Sequence, residues 1–163
     1  MTSNEIKQLL KDHKEDLKNN NLDPIFEDFN GDELSIADIK EFLEAQGIDP
    51  LRYVTKIPYW YYVDAELDNL DLSNYTNLKT IRPEAFLNCH IDKDLILPNS
   101  IEVVGYRAFW LGVSNLYLPD NLKEIYSDAF TYIECNDIIY KGKKYNSNNI
   151  IDILKANGVK ILR

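Results

Sequence analysis

The sequence predicts an α+β repeat solenoid, with a helical acidic cap over residues 1–50, a stack of similar coils over 51–135 and a hairpin–helix cap over 136–163. Three observations carry that expectation. LPNSIEVVGYRAF at 97–109 returns as LPDNLKEIYSDAF at 118–130, twenty-one residues later, and a fixed period in that range marks stacked supersecondary units. Ile81, Val104 and Ile125 each stand four residues before an Ala-Phe pair, and Leu78, Ile101 and Leu122 each stand three residues before that apolar position. Leu70-Asp71-Leu72, Leu95-Ile96-Leu97 and Leu116-Tyr117-Leu118 lead the units with the alternation of short strands.

Before the repeats the period is helical. Thr2 and Glu5 have capping-box spacing, and Ile6, Leu9, Leu10 and Leu17 follow as an apolar stripe that ends at the Asn run 19–21. Ser35 with Asp38 opens a second helix, Ile36, Ile39, Phe42 and Leu43 form its stripe, and Gly47 stops it. Pro50 then suits the first position of a further helical turn.

From residue 51 the repeat takes over. A degenerate copy comes first: Val54 and Ile57 keep the three-residue step, and Tyr61-Tyr62 fall where Ala-Phe stands later. Leu-x-Leu sends two side chains inward and one outward, while Pro98 and Pro119 cannot extend a ladder and so end their strands. The small Ala lets neighbouring coils approach, and Phe86, Phe109 and Phe130 are expected to stack as a core ladder. No single unit buries its apolar face alone, so both ends need caps. At the C-terminal end IIYKGKKY predicts a hairpin turning at Lys141-Gly142, SNNIIDILKANG a helix followed by Gly158, and VKIL a closing strand.

Composition limits the function. There are 27 acidic and 18 basic residues, a net charge of -9, which argues against a general nucleic-acid or anionic-membrane surface and favours a partner protein with basic surface. The N-terminus shows no basic region followed by an apolar run, and no stretch reaches the roughly 18 apolar residues of a membrane span. The expectation is a soluble, cytoplasmic protein, with Cys89 and Cys135 compatible with a reducing compartment. Charge is unevenly placed: residues 23–49 hold nine acids and one base, net -8, whereas 141–163 hold six bases and one acid, net +5.

The repeated units resemble BspA-like leucine-rich repeats, whose pattern runs Leu-x-x-Ile-x-Leu-Pro, then Ile-x-x-x-Ala-Phe, often followed by Cys. The likeness covers about residues 67–135 in three units, the first of which has Leu72-Ser73 in place of Leu-Pro. It implies a solenoid that binds protein. Members are known mostly as bacterial surface proteins that bind host or matrix proteins, and short versions occur in phages and mobile elements.

Candidate sites follow from the outward positions. Asn69, Asp71, Asp94, Ile96, Asn115 and Tyr117 are expected to form one solvent-facing strip, in which Ile96 and Tyr117 are apolar or amphipathic where water is expected. Trp110 and the run Tyr59-Trp60 add aromatic area of the kind that anchors interfaces. Glu33, Glu41 and Glu44 represent the acidic segment, whose nine acids repel one another unless something offsets them. Asp28, Asn30 and Asp32 occupy the first three positions of a calcium loop. Glu33 stands where that loop needs Gly and Asp38 falls one residue early, so a solvated loop entering a helix explains the same residues. His13, His90, Cys89 and Cys135 lack zinc-ligand spacing, and no nucleophile elbow or phosphate loop is present. Neither cofactor, metal nor catalysis is expected.

The reading that results is a non-enzymatic protein-binding module. One alternative is a phage or mobile-element inhibitor that sets its acidic segment in the basic site of a host defence or nucleic-acid-binding enzyme. The other is a self-assembling structural protein whose oppositely charged ends meet head to tail.

Overall fold

The computed structural model describes residues 55–57 and 59–163. Within them the chain visits three sheets in rotation. Sheet A is built from β1 (Lys56–Ile57), β3 (Thr80–Ile81), β6 (Val103–Val104), β9 (Glu124–Tyr126) and β12 (Lys160–Leu162). Sheet B holds β2 (Glu66–Leu67), β4 (Cys89–Ile91) and β7 (Leu111–Val113); sheet C holds β5 (Leu95–Ile96), β8 (Asn115–Tyr117), β10 (Asp137–Tyr140) and β11 (Lys143–Tyr145). Every pairing is parallel except that of β10 with β11. Parallel pairing between segments one coil apart requires each coil to return in the same direction, and the result is a β-solenoid of about four turns.

The repeat positions become stacked rows. Ile57, Ile81, Val104, Ile125 and Ile161 are paired in register along sheet A, and the first four are fully buried. Phe86 lies 6.3 Å from Phe109 and Phe109 5.4 Å from Phe130, ring over ring. Tyr62 extends the ladder from the degenerate copy, stacked on Phe86 at 5.0 Å. Ala85, Ala108 and Ala129 are fully buried, and the lack of a larger side chain lets the turn itself bond across coils: the amides of Tyr62, Phe86 and Phe109 donate to the carbonyls of Ala85, Ala108 and Ala129. Gly105 serves the same approach, since a Cβ there would stand 2.4 Å from the Pro83 nitrogen of the preceding coil.

The last coil carries the hairpin and helix. Lys141 and Gly142 both have positive φ, 49° and 73°, as a two-residue hairpin turn requires. The helix α1 (Ile150–Ala156) buries Ile150 and Leu154, one turn apart on one face. Gly158, at φ 85°, ends it with the Gly158 amide on the Lys155 carbonyl and the Val159 amide on the Leu154 carbonyl, a Schellman motif. β10 continues sheet C and β12 continues sheet A, so this segment is joined to the repeat body by the same ladders that join the coils.

Two expectations need correction or bounding. Leu70-Asp71-Leu72 is not a strand: the Ser73 amide turns back to the Asp71 carboxylate at 2.9 Å and the Tyr75 amide to the Leu72 carbonyl, so local turns replace a ladder, although Leu72 still enters the core. The helical cap of residues 1–50, with the Asp28, Asn30 and Asp32 loop, lies outside the described residues. Among the described residues the fold is mainly β, with α1 the one α-helix.

On sheet A, Glu102 receives Lys123 at 2.6 Å and Lys79 at 3.2 Å, tying three coils together. Hydrogen bonds from Lys123 and then Lys79 hold its carboxyl below the usual carboxylate range. A depressed folded pKa means stabilisation that is present above the unfolded pKa and lost as pH falls through the folded one. Glu102→Gln is therefore expected to flatten the acid limb of the stability curve at low salt, and the difference should vanish near about 1 M NaCl, where screening acts over about 3 Å. Phe109→Ala, which removes the middle of the ladder, should cost about 3–5 kcal/mol in urea denaturation. Gly105→Ala should cost about 1–3 kcal/mol in the same assay, because Pro83 must shift.

Candidate protein-binding surfaces

The outward face of sheet C carries the first surface. Ile96, Tyr117 and Ile139 are paired in register across β5, β8 and β10. Because their inward neighbours Leu95, Leu116 and Ile138 are fully buried, alternation sends this row to water. Ile96 is 59% exposed, while Tyr117 and Ile139 are half-buried. The row lines an open groove of about 490 Å³ together with Pro98, Leu118 and Lys141. Along one side runs a polar row in which the Asn115 amide donates to Asp94 at 2.8 Å and Lys144 pairs with Asp137 at 2.7 Å. Those bonds satisfy the rim and leave the apolar row uncovered. Asp71 is exposed, its carboxylate accepting the Ser73 amide, and hydrogen bonding from the Ser73 side chain and then from that amide holds its pKa low.

Trp110 does not join that surface. It follows Phe109 at the corner leading into sheet B, where its ring stacks on Tyr132 at 4.2 Å. The pair walls a second groove of about 580 Å³, lined also by Asp64, Glu66, His90, Gly112 and Glu134, which shares no residue with the groove at Ile96. Tyr132, 42% exposed, was not singled out from the sequence. Its signal was its place two residues after Phe130, one step displaced from Trp110 after Phe109.

Tyr59 and Trp60 occupy the corner of the first coil. Trp60 is 57% exposed, at φ 55°, and its indole nitrogen donates to Glu84 at 2.8 Å. The Arg82 guanidinium lies over the Tyr59 ring at 5.6 Å. Equivalent corners repeat the left-handed geometry at Glu84 and Arg107. Thus Ile96, Tyr117 and Asp94 share one face, with Asp71 in the turn before Ser73 at the end of the same groove, whereas Trp110 and the Tyr59–Trp60 pair stand on other parts of the coil. Glu33, Glu41 and Glu44 lie outside the described residues.

The remaining reactive groups are quiet. Cys89 and Cys135 are free thiols; burial pushes Cys89 up to about 11 and, with the Asp137 charge, raises Cys135 too, so neither is a ready thiolate near neutral pH. Among the described residues no cluster of three or more His, Cys, Asp or Glu is placed to hold a metal ion, and no helix is long and apolar enough to cross a membrane.

Comparison with known proteins adds the family. The model for the BspA type leucine rich repeat region matches residues 48–152 in six copies. No curated protein and no solved structure gives a match. The repeat array of this family is typically a binding scaffold for other proteins. With this match over more than half of its length, and with Ala-Phe corners and parallel coils in register among the described residues, the chain belongs to the BspA-type leucine-rich repeat family.

Proposed function

We propose that this protein is a non-enzymatic protein-binding module that takes its partner on the outward face of sheet C. The observation that carries the reading is the Ile96–Tyr117–Ile139 row, apolar at positions that alternation gives to water. A parallel sheet fixed by coil-to-coil ladders presents these side chains already ordered, so little entropy is lost on docking. The occupant that fits is a partner protein with an apolar anchor for the groove beside Ile96 and polar groups for the Asp94 and Asn115 rim. The net charge of -9 favours a partner that also carries basic surface. Free thiols at Cys89 and Cys135 suit an intracellular, reducing setting.

The test is capture from lysate of the native host, with the bound protein identified and then titrated in pure form. Ile96→Asp and Tyr117→Ala should each weaken that binding by about tenfold or more, the loss typical of a central interface anchor, while the melting temperature stays within about 2 °C. Undiminished binding by both variants would overturn the reading.

A further inference from the structure

The groove beside sheet B has a chemistry of its own. Its floor is the outward row of that sheet: Glu66 pairs with His90, His90 with Gly112, and Gly112 bridges to Glu134. Gly112 leaves a gap in the row, and the His90 imidazole lies across it, so close that a Cβ on Gly112 would stand 2.6 Å from Nδ1. Glu66 and Asp64 supply carboxylates at one end, Asp64 fixed by the Asn88 amide at 2.7 Å, and Glu134 supplies one at the other. Trp110 stacked on Tyr132 forms the wall. The lining includes no lysine or arginine.

That combination selects for a cation with a flat face. The carboxylates supply charge at both ends of a row about three coils long, and the aromatic wall supplies a surface on which a guanidinium stacks. The Tyr132 ring already takes one guanidinium, that of Arg107 at 5.4 Å, at a place outside the groove's lining. An anionic ligand is repelled by the same groups, and a bare metal ion finds no cluster of ligands among the described residues.

We infer that the sheet B groove binds an arginine-bearing segment of a partner protein, with guanidinium groups held by Glu66 and Glu134 and packed against Trp110. The inference rests on the protein-binding reading but uses a face separate from the Ile96 row, so each fails or stands alone.

The chain has two tryptophans, so Trp60→Phe leaves Trp110 as the reporter. Titration of that full-length variant with hexa-arginine should give a saturable change in Trp110 emission. Adding Glu66→Gln and Glu134→Gln should weaken the response by about tenfold or more, the loss expected from removing two charge-assisted contacts, with the melting temperature unchanged. Hexa-glutamate should give no response, and Ile96→Asp should leave the hexa-arginine titration as it was. A flat hexa-arginine titration, or equal affinity after the two Glu→Gln changes, would overturn the inference; the second result would mean that acidic residues elsewhere capture the peptide.

Discussion

One aromatic ring per coil, stacked on the ring of the next, sets the spacing on which the rest of this molecule depends. Tyr62, Phe86, Phe109 and Phe130 lie nearly parallel, with centroids 5.0 to 6.3 Å apart, and the amide beside each of the first three rings donates to the alanine carbonyl of the following coil. Ring and backbone thus fix the same distance twice. Each coil buries its apolar face only against its neighbours, so stability accumulates as nearest-neighbour terms and a defect in one rung is felt on both sides. Register follows from the same constraint: once the corners are locked, the strands between them have no freedom to slip, and outward side chains line up in rows.

Those rows give the sheets different roles. On sheet A the charges answer one another: Glu102 lies between Lys79 and Lys123, and Glu124 pairs with Lys160 at 3.2 Å. That face has little electrostatic demand left for a partner. Sheet C is apolar along Ile96, Tyr117 and Ile139 and polar along its rim, and sheet B joins carboxylates to an aromatic wall. The outer edge of sheet C is blunted by Lys143 and Lys144 on β11 and by Lys141 in the turn before it, a device that discourages edge-to-edge pairing with another chain. Binding surface is therefore concentrated on sheet faces.

Much of this was legible in the sequence because the repeat forces it. A position that recurs at a fixed step from Ala-Phe must meet its equivalent in the next coil, and that logic placed even Tyr62, in a copy without Ala-Phe, in the ladder. It also located Ile96 beside Tyr117. Where a side chain points at a corner is a different matter, because corners use left-handed residues such as Glu84 and Arg107 and do not alternate. Trp110, one residue past Phe109, was read only as added aromatic area, and it lines the sheet B groove. Sheet B itself was missed: Cys89-His90-Ile91 and Leu111-Gly112-Val113 alternate buried and less buried, but three-residue strands beside a corner give a weak periodic signal. The strand expected at Leu70–Leu72 failed for a local reason, the turn closed by the Asp71 carboxylate.

The most direct test of the account is methyl NMR of the isoleucine side chains as the purified partner is added. Ile57, Ile81, Ile125 and Ile138 are fully buried, whereas Ile96 stands in water and Ile139 beside it is half-covered. The account predicts that the Ile96 and Ile139 methyls shift first and most, with the core methyls nearly still. Shifts that leave Ile96 and Ile139 unmoved while the complex forms would contradict it.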